Sequence, residues 1–308
     1  MLYFLWKAAM WQSPKIPITK DQHDTIISAW RAIVTVLDIE EEWDSLIQNY
    51  IELEMELLKS AMDTMVLNHE SYGDMQQRRL IFSRRLSNLL QTCRSYIDRT
   101  PHHLKKLEGH DFEATFDELR RAAHAAHFGY RFMDAMRNYA QHRGVPLHGA
   151  TYHAGWIGDD NGNRKAAMRH VVTANVNLNK VRSDKKFSAK VRAEVAGVDR
   201  LDIAALTREY IEALGTVHIE LRARMAEALA KWKATVKSAI EQYAVANNDN
   251  VIGLCVAEFA DERNLIAKVD IFDDLLLRQE QLVQRNGSLV NFRRRYVSNE
   301  IMPAKNRR

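Results

Sequence analysis

An apolar stripe in the last third of the chain constrains the fold more than any other feature of the sequence. From Ile203 to Tyr243, apolar residues recur at intervals of three and four, the spacing of one face of an α-helix. A helix of about forty residues spans roughly 60 Å, which is more than the width of a small domain. Two interpretations remain open: the helix packs against another chain, or it wraps a sheet of its own chain.

Helical spacing also occurs in four segments of the N-terminal half. The first predicted helix runs from Ile39, and the second follows HESYGD and ends near Thr100, because the next residue is a proline. The third begins at the acidic run DFEATFDEL, and the fourth ends where Gly144 can adopt a left-handed cap and Pro146 blocks continuation. Four helices joined by short polar loops indicate a bundle.

The periodicity changes from helical to alternating after the fourth helix. In VVTANVNLN, apolar and polar residues alternate, so residues 150 to 179 are predicted to form a β-hairpin, and residues 251 to 271 a second one. The predicted fold is mainly α. A helical bundle in residues 1–146 is followed by an α+β region in residues 147–308 with two β-hairpins and one long helix.

Few features of the sequence indicate a compartment or a bound group. The two cysteines, Cys93 and Cys255, lie in unrelated contexts, so neither a disulfide framework nor a zinc ribbon is expected. The N-terminal MLYFLWKAAMW is apolar, but it lacks a basic leading region and is much shorter than a membrane span. We therefore expect a cytoplasmic protein that does not enter a membrane.

Positive charge is concentrated in two segments, although the formal net charge is only +4. Nine lysines and arginines lie between positions 164 and 192 against one acid, and the tail from position 293 carries six against one. Such segments either bind nucleic-acid phosphates or form a solvated charged surface, and the sequence leaves both open. The candidate nucleic-acid contacts are Arg164, Lys165, Arg169, Lys185, Lys186, Arg293, Arg294 and Arg295.

An arginine and a histidine lie near the end of the fourth helix, in RFMDAMRNYAQHRGVP. RNA cleavage without a metal needs a group that transfers protons and a fixed positive charge beside the reacting phosphate. Histidine titrates near neutral pH, and arginine can hold two phosphate oxygens at once. Arg137 and His142 are therefore candidates, with Asn138 as a short polar neighbour. On an ideal helix their side chains point about 140° apart, and a second copy of the chain would ease this.

The helical bundle with RNYAQH at the end of its last helix resembles the HEPN superfamily over about residues 39–146. The resemblance implies a ribonuclease that cuts RNA without metal or cofactor, leaves a cyclic phosphate, and pairs its motifs across a homodimer. It also implies a toxin or an effector of antiviral defence, with an antitoxin or defence partner possible. Arg137 would hold the phosphate, Asn138 would position it, and His142 would act as general acid or base.

Three alternatives compete with this interpretation. Arg137 can be a surface arginine paired with Asp134, and His142 a cation that caps the helix. His124, His127 and an acid such as Asp117 can hold a metal ion. The chain can also be a helical scaffold that binds a partner or nucleic acid without chemistry.

Overall fold

A computed structural model describes residues 1–7, 13–67, 71–158, 164–185, 187–295 and 297. The helices are α1 (Lys20–Val66), α2 (Tyr72–Leu104), α3 (Phe112–Ala126), α4 (Phe128–Arg143), α5 (Leu178–Ser183), α6 (Ala189–Glu194), α7 (Ile203–Ala246) and α8 (Asp273–Arg285). The strands are β1 (Leu2–Lys7), β2 (Ile16–Ile18), β3 (Gly149–Gly158), β4 (Arg164–Asn175), β5 (Leu254–Phe259) and β6 (Leu265–Asp270). The predicted mainly α fold with two hairpins is confirmed.

Two long helices, α1 and α7, run antiparallel through the molecule. Arg208 near the start of α7 binds Glu54 of α1, and Arg222 further along α7 binds Glu40. Near its end, α7 packs Val236 in one cluster with Ile33 of α1. The long helix therefore packs on three helices of its own chain: α1, α3 and α4. Its C-terminal end packs against the four-stranded sheet that contains β1 and β5.

The N-terminal segment forms a strand that the sequence interpretation did not predict. The four-stranded antiparallel sheet has the order β2-β1-β5-β6, and Leu2 lies opposite Phe259. Leu5 of β1 is fully buried against the end of α7. Because β1 pairs with β5 and α7 packs on α1 to α4, contacts cross position 146. The division into 1–146 and 147–308 stays a prediction.

Two predicted helix boundaries were wrong. Helix α1 begins at Lys20 rather than Ile39, because Thr19 and Gln22 form a reciprocal capping box at its first turn. Helix α2 continues through Pro101 to Leu104. Leu104 is fully buried in the core, so burial of the last turn outweighs the local cost of the proline.

Helix α4 is held closely against α7 by a glycine near its start. A Cβ atom on Gly129 would lie 2.8 Å from the backbone oxygen of Leu206 and equally close to Glu209. Tyr130 then packs on Tyr210 with ring centroids 4.9 Å apart. The close approach fixes the direction of α4, and with it the position of its C-terminal end.

A buried charged network joins α1, α2 and α7. Glu40 and His218 are each only 1% exposed, and Trp43 stacks on the imidazole. The carboxylate of Glu40 accepts hydrogen bonds from Arg222 and from His218, whose Nε2 is 3.2 Å away. On the other side of the ring, His218 Nδ1 lies 2.9 Å from the hydroxyl of Tyr96 in α2. A neutral imidazole satisfies both contacts, because Nε2–H donates to Glu40 and Nδ1 accepts from Tyr96.

The pKa directions of these groups agree with this assignment. Burial lowers the pKa of His218, so the ring is neutral near pH 7. Burial opposes ionisation of Glu40, but the hydrogen bonds from His218 and Arg222 outweigh it and hold the pKa of the carboxyl at about 2. Glu40 therefore stabilises the fold above its unfolded pKa of about 4.5, and this contribution is lost as pH falls from there toward 2.

Replacing Glu40 with glutamine should destabilise the protein strongly, because Arg222 is left as a buried charge without its carboxylate. We expect Glu40→Gln to lower the free energy of unfolding at pH 7 by about 3–5 kcal/mol, measured by urea denaturation. The matched control is Glu227→Gln, which removes an exposed partner of Lys231 and should leave unfolding unchanged. Equal effects of the two changes would contradict the role of the network.

Candidate functional site

The three residues predicted as catalytic lie in the last two turns of α4. Arg137 is half-buried, and its Nη1 donates a 2.9 Å hydrogen bond to the side-chain oxygen of Asn138. The Nε of Arg137 is buried without a hydrogen-bond partner among the described residues. Asn138 thus holds one side of the guanidinium.

The end of α4 leaves His142 accessible. His142 is exposed in the last turn, and the helix ends at Arg143 as predicted. Gly144 follows with φ 136° and ψ −157°, a conformation open mainly to glycine, rather than the left-handed helical cap that was expected. The pair between Arg137 and Asp134 that the alternative interpretation requires is not among the contacts of these described side chains; the carboxylate of Asp134 lies 3.9 Å from His124 instead.

Within one chain, Arg137 and His142 are close in sequence but are not joined by any contact between their described side chains. Their offset of five residues turns them to different sides of the helix. One copy therefore presents an arginine and a histidine around the end of α4. The structure does not bring the two side chains together in one site.

A basic segment packs along α4 and was predicted from sequence only as a charged stretch. It comprises residues 178–194, which include α5 and α6. Phe187 is buried between these short helices and contacts the rings of Phe132 and Tyr139 on α4. Arg131 of α4 forms an ion pair of 2.6 Å with Glu194. The basic segment is therefore attached to α4 through its middle and its C-terminal end.

His148 lies where the basic segment meets the end of α4, and sequence reasoning did not select it. Its Nδ1 accepts a 3.3 Å hydrogen bond from the backbone N–H of Asn177, so the neutral ring carries its proton on Nε2, 3.4 Å from the hydroxyl of Tyr139. Burial lowers the pKa of His148, and the positive charges of Lys180 and Arg79 lower it further. The charges of Lys180 and Arg79 thus add to burial in favouring the neutral imidazole.

The basic residues that were predicted to contact nucleic acid in the first hairpin and in the basic segment after it lie in different parts of the structure. Arg169 is exposed on β4, and Lys185 is exposed between α5 and α6. Arg164 and Lys165 begin β4, but their side chains and the whole of Lys186 lie outside the described residues. Lys180 was not selected from the sequence, although its positive charge lowers the pKa of His148.

The basic tail residues lie at the other end of α4. Arg293 contacts Glu209 at 3.7 Å and Glu212 at 3.6 Å, and Glu209 is also 3.5 Å from His127 just before α4 begins. With Glu212 and Asn291, Arg293 and Arg294 line a cavity of about 310 Å³. Arg295 is exposed, and its guanidinium donates to the backbone of Val290. Arg293, Arg294 and Arg295 therefore do not adjoin His142, and acids partly balance the charge of Arg293.

The histidines considered as metal ligands have separate partners. His124 faces Asp134, whereas His127 faces Glu209. Asp117 instead contacts Arg120 and Arg121. Within the described ranges, no three histidine, cysteine or acidic side chains come together in a geometry suited to a metal ion.

Comparison with known proteins adds no family assignment: no family model, curated protein or solved structure matches the chain. No helix in the described part of the chain has both the length and the apolar character needed to cross a membrane.

If Lys180 contributes to the potential at His148, its removal should raise the pKa of the imidazole, because protonation is then opposed by one positive charge fewer. We expect Lys180→Ala to raise the pKa of His148, followed by the NMR shifts of its ring protons between pH 4 and pH 9. Lys185→Ala makes the same charge change in the same segment and should leave the pKa unchanged. A pKa that responds equally to both variants would show that the local contact is not the cause.

Proposed function

We propose that this protein is a metal-independent endoribonuclease whose site lies at the C-terminal end of α4. One observation carries the proposal: Phe187 packs a basic segment along the helix that presents Arg137, Asn138 and His142. Exposed lysines at 180, 185 and 190 lie in that segment. An RNA strand that follows these charges reaches a half-buried arginine and an exposed histidine.

The chemistry assigned to each residue follows from its environment. Arg137 is always charged, and Asn138 orients its guanidinium, so it can stabilise the negative charge that builds on the phosphorane. The substrate's 2′-hydroxyl attacks the neighbouring phosphorus and loses its proton, the bond to the 5′-oxygen breaks, and that oxygen takes up a proton. His142 transfers one of these protons, and the products are a 2′,3′-cyclic phosphate and a 5′-hydroxyl.

The resemblance of the bundle to HEPN ribonucleases supports further parts of the proposal. We propose a homodimer that acts on RNA in the cytoplasm, in growth arrest or antiviral defence, with a cognate antitoxin or defence partner. A second copy suits the geometry because Arg137 and His142 point to different sides of α4. The competing function is a scaffold that binds RNA or a partner through the basic surfaces without cleaving it.

Substitution of His142 separates the two functions. We expect cells that express the wild-type chain to accumulate RNA fragments with cyclic phosphate ends, and His142→Ala and Arg137→Ala each to reduce them by about a hundredfold or more. Cleavage by the purified chain should persist in the presence of a chelator. His153→Ala removes another exposed histidine, on β3, and is the matched control. Fragments that persist in His142→Ala, or cleavage that stops on chelation, would contradict the proposal.

Charge neutralisation identifies the path of the RNA. We expect Lys180→Ala, Lys185→Ala and Lys190→Ala together to lower the slope of log affinity against log salt for single-stranded RNA by about two. The matched triple change, Arg293→Ala, Arg294→Ala and Arg295→Ala, should have a smaller effect because Glu209 and Glu212 already balance Arg293. The measurement is fluorescence anisotropy across a salt series. A larger effect of the tail variant would favour the scaffold.

A further inference from the structure

A stripe of exposed apolar side chains follows the C-terminal third of α1. Its members are 40–63% exposed and are separated by four, three, four and three residues: Ile51, Met55, Leu58, Met62 and Met65. This alternation is the a and d pattern of a coiled coil, with Met55 and Met62 at a and the other three at d. We call these five residues the α1 seam. Single exposed apolar residues are ordinary, but a row at this spacing indicates a missing partner helix.

The α1 seam faces away from the rest of its own chain. Leu53 and Ser60, which lie on the opposite side of the helix, are buried, and Ser60 accepts a hydrogen bond from Arg78 of α2. The pairing of α1 with α7 reaches Glu54, where Arg208 binds. Beyond that contact α1 extends past the start of α7, so its outer face is left without a partner among the described residues.

The seam also begins where the described C-terminal residues stop covering α1. Asn286 donates a hydrogen bond to Asp44, and Phe292 packs edge-on against the ring of Tyr50. These contacts cover α1 up to the first member of the seam. The exposed face is thus bounded by packed structure on one side and by the end of α1 on the other.

We propose that the α1 seam binds the α1 seam of a second copy of this chain, with the two helices antiparallel. A two-fold axis near the middle of the seam sets each a position opposite a d position. Ile51 then packs on Met62 of the second copy and Met55 on its Leu58, and the axis repeats both contacts. The seam is therefore complementary to itself without any change in the fold.

Charges beside the seam favour the antiparallel orientation. Glu52 and Lys59 occupy e positions, and antiparallel helices bring these two positions of different copies together. Lys59 is exposed and has no charged partner in the described structure, and Arg85 binds Oε2 of Glu52. A parallel pair would instead set Lys59 against Glu54, whose two oxygens already bind Arg208.

The size of the surface also suits a second copy. Fifteen helical residues extend about 21 Å, and a specific interface needs roughly 1,000 Å² in total. Further exposed apolar side chains lie beyond the seam, at the end of α1 and at the start of α2: Val66, Leu67, Tyr72 and Met75. In the antiparallel pair the end of α1 approaches the part of α1 in the second copy that Asn286 and Phe292 contact, and Val290 near these two residues is exposed.

This inference does not depend on the proposed ribonuclease function, because two copies can associate whether or not either one cuts RNA. The α1 seam faces away from α2, whereas the segment after α4 contacts α2 through the backbone oxygen of Leu147. The seam is thus a different surface from the paired motifs that the resemblance to HEPN implies. Its test uses no RNA, so failure of one proposal is separate from failure of the other.

The first test is the oligomeric state of the full chain by sedimentation equilibrium over a wide concentration range. We expect the chains to associate through the seam, and we expect Leu58→Glu with Met62→Glu to raise the dissociation constant of this association by about a hundredfold or more. Val245→Glu with Ile252→Glu places the same charges at exposed apolar sites away from the seam and should not change it. Circular dichroism checks that each variant is folded. A monomeric wild type, or a dimer that tolerates the seam variant, overturns the proposal.

The second test determines the orientation of the helices. Lys59→Glu and Glu52→Lys should each weaken the dimer, and the double variant should restore it. When Met55→Cys protein is mixed with Leu58→Cys protein under oxidising conditions, the antiparallel pair gives a mixed disulfide. Cys93 and Cys255 are buried and do not compete. Disulfides that form only within each single variant would overturn the antiparallel arrangement.

Discussion

The carboxylate of Glu40 is the interaction on which the arrangement of the long helices depends. A buried carboxylate is tolerated only where donors surround it, and His218 and Arg222, one turn apart on α7, both reach it. A slip of one residue between α1 and α7 would rotate both donors by about 100° and leave three polar groups without partners. Arg222 also donates to the backbone oxygen of Asn286, so the same network places the segment after α8.

The position of the candidate site follows from this register. Once α7 is fixed, the close contact at Gly129 fixes α4, and Phe187 fixes the basic segment beside it. The positive charges are then divided into two kinds. Arg131 and Arg293, near the start of α4, have acidic partners. Lys180 instead lowers the pKa of His148. The uneven balance of charge along one helix distinguishes its C-terminal end from the rest of the surface.

Much of the fold could be predicted from local patterns, and the failures share one cause. The helical spacing of α7 and the alternation in β4 each depend on one segment alone. Both elements form, but the first hairpin ends at Asn175 rather than at residue 179, because Leu178 begins α5. Strand β1 was missed because its partner β5 lies some 250 residues away, and apolar residues at a chain end give no sign of the pairing. The roles of Arg137, Asn138 and His142 came from a short motif and a resemblance, and they stay predictions. Lys180 and His148 could not be selected, because no sequence pattern predicts that the residue just before β3 lies close to α5.

The pairing of β1 with β5 has a consequence for how the chain folds during synthesis. Residues 2–7 are made before their neighbour strand at 254–259, which follows only after some 250 further residues have been translated. At common elongation rates this delay is on the order of ten seconds to a minute. Throughout that time LYFLWK is an apolar strand with an unpaired edge, a form prone to aggregation. Slow translation before residue 254 would prolong this exposure, whereas a chaperone bound to the nascent N-terminus would shorten it.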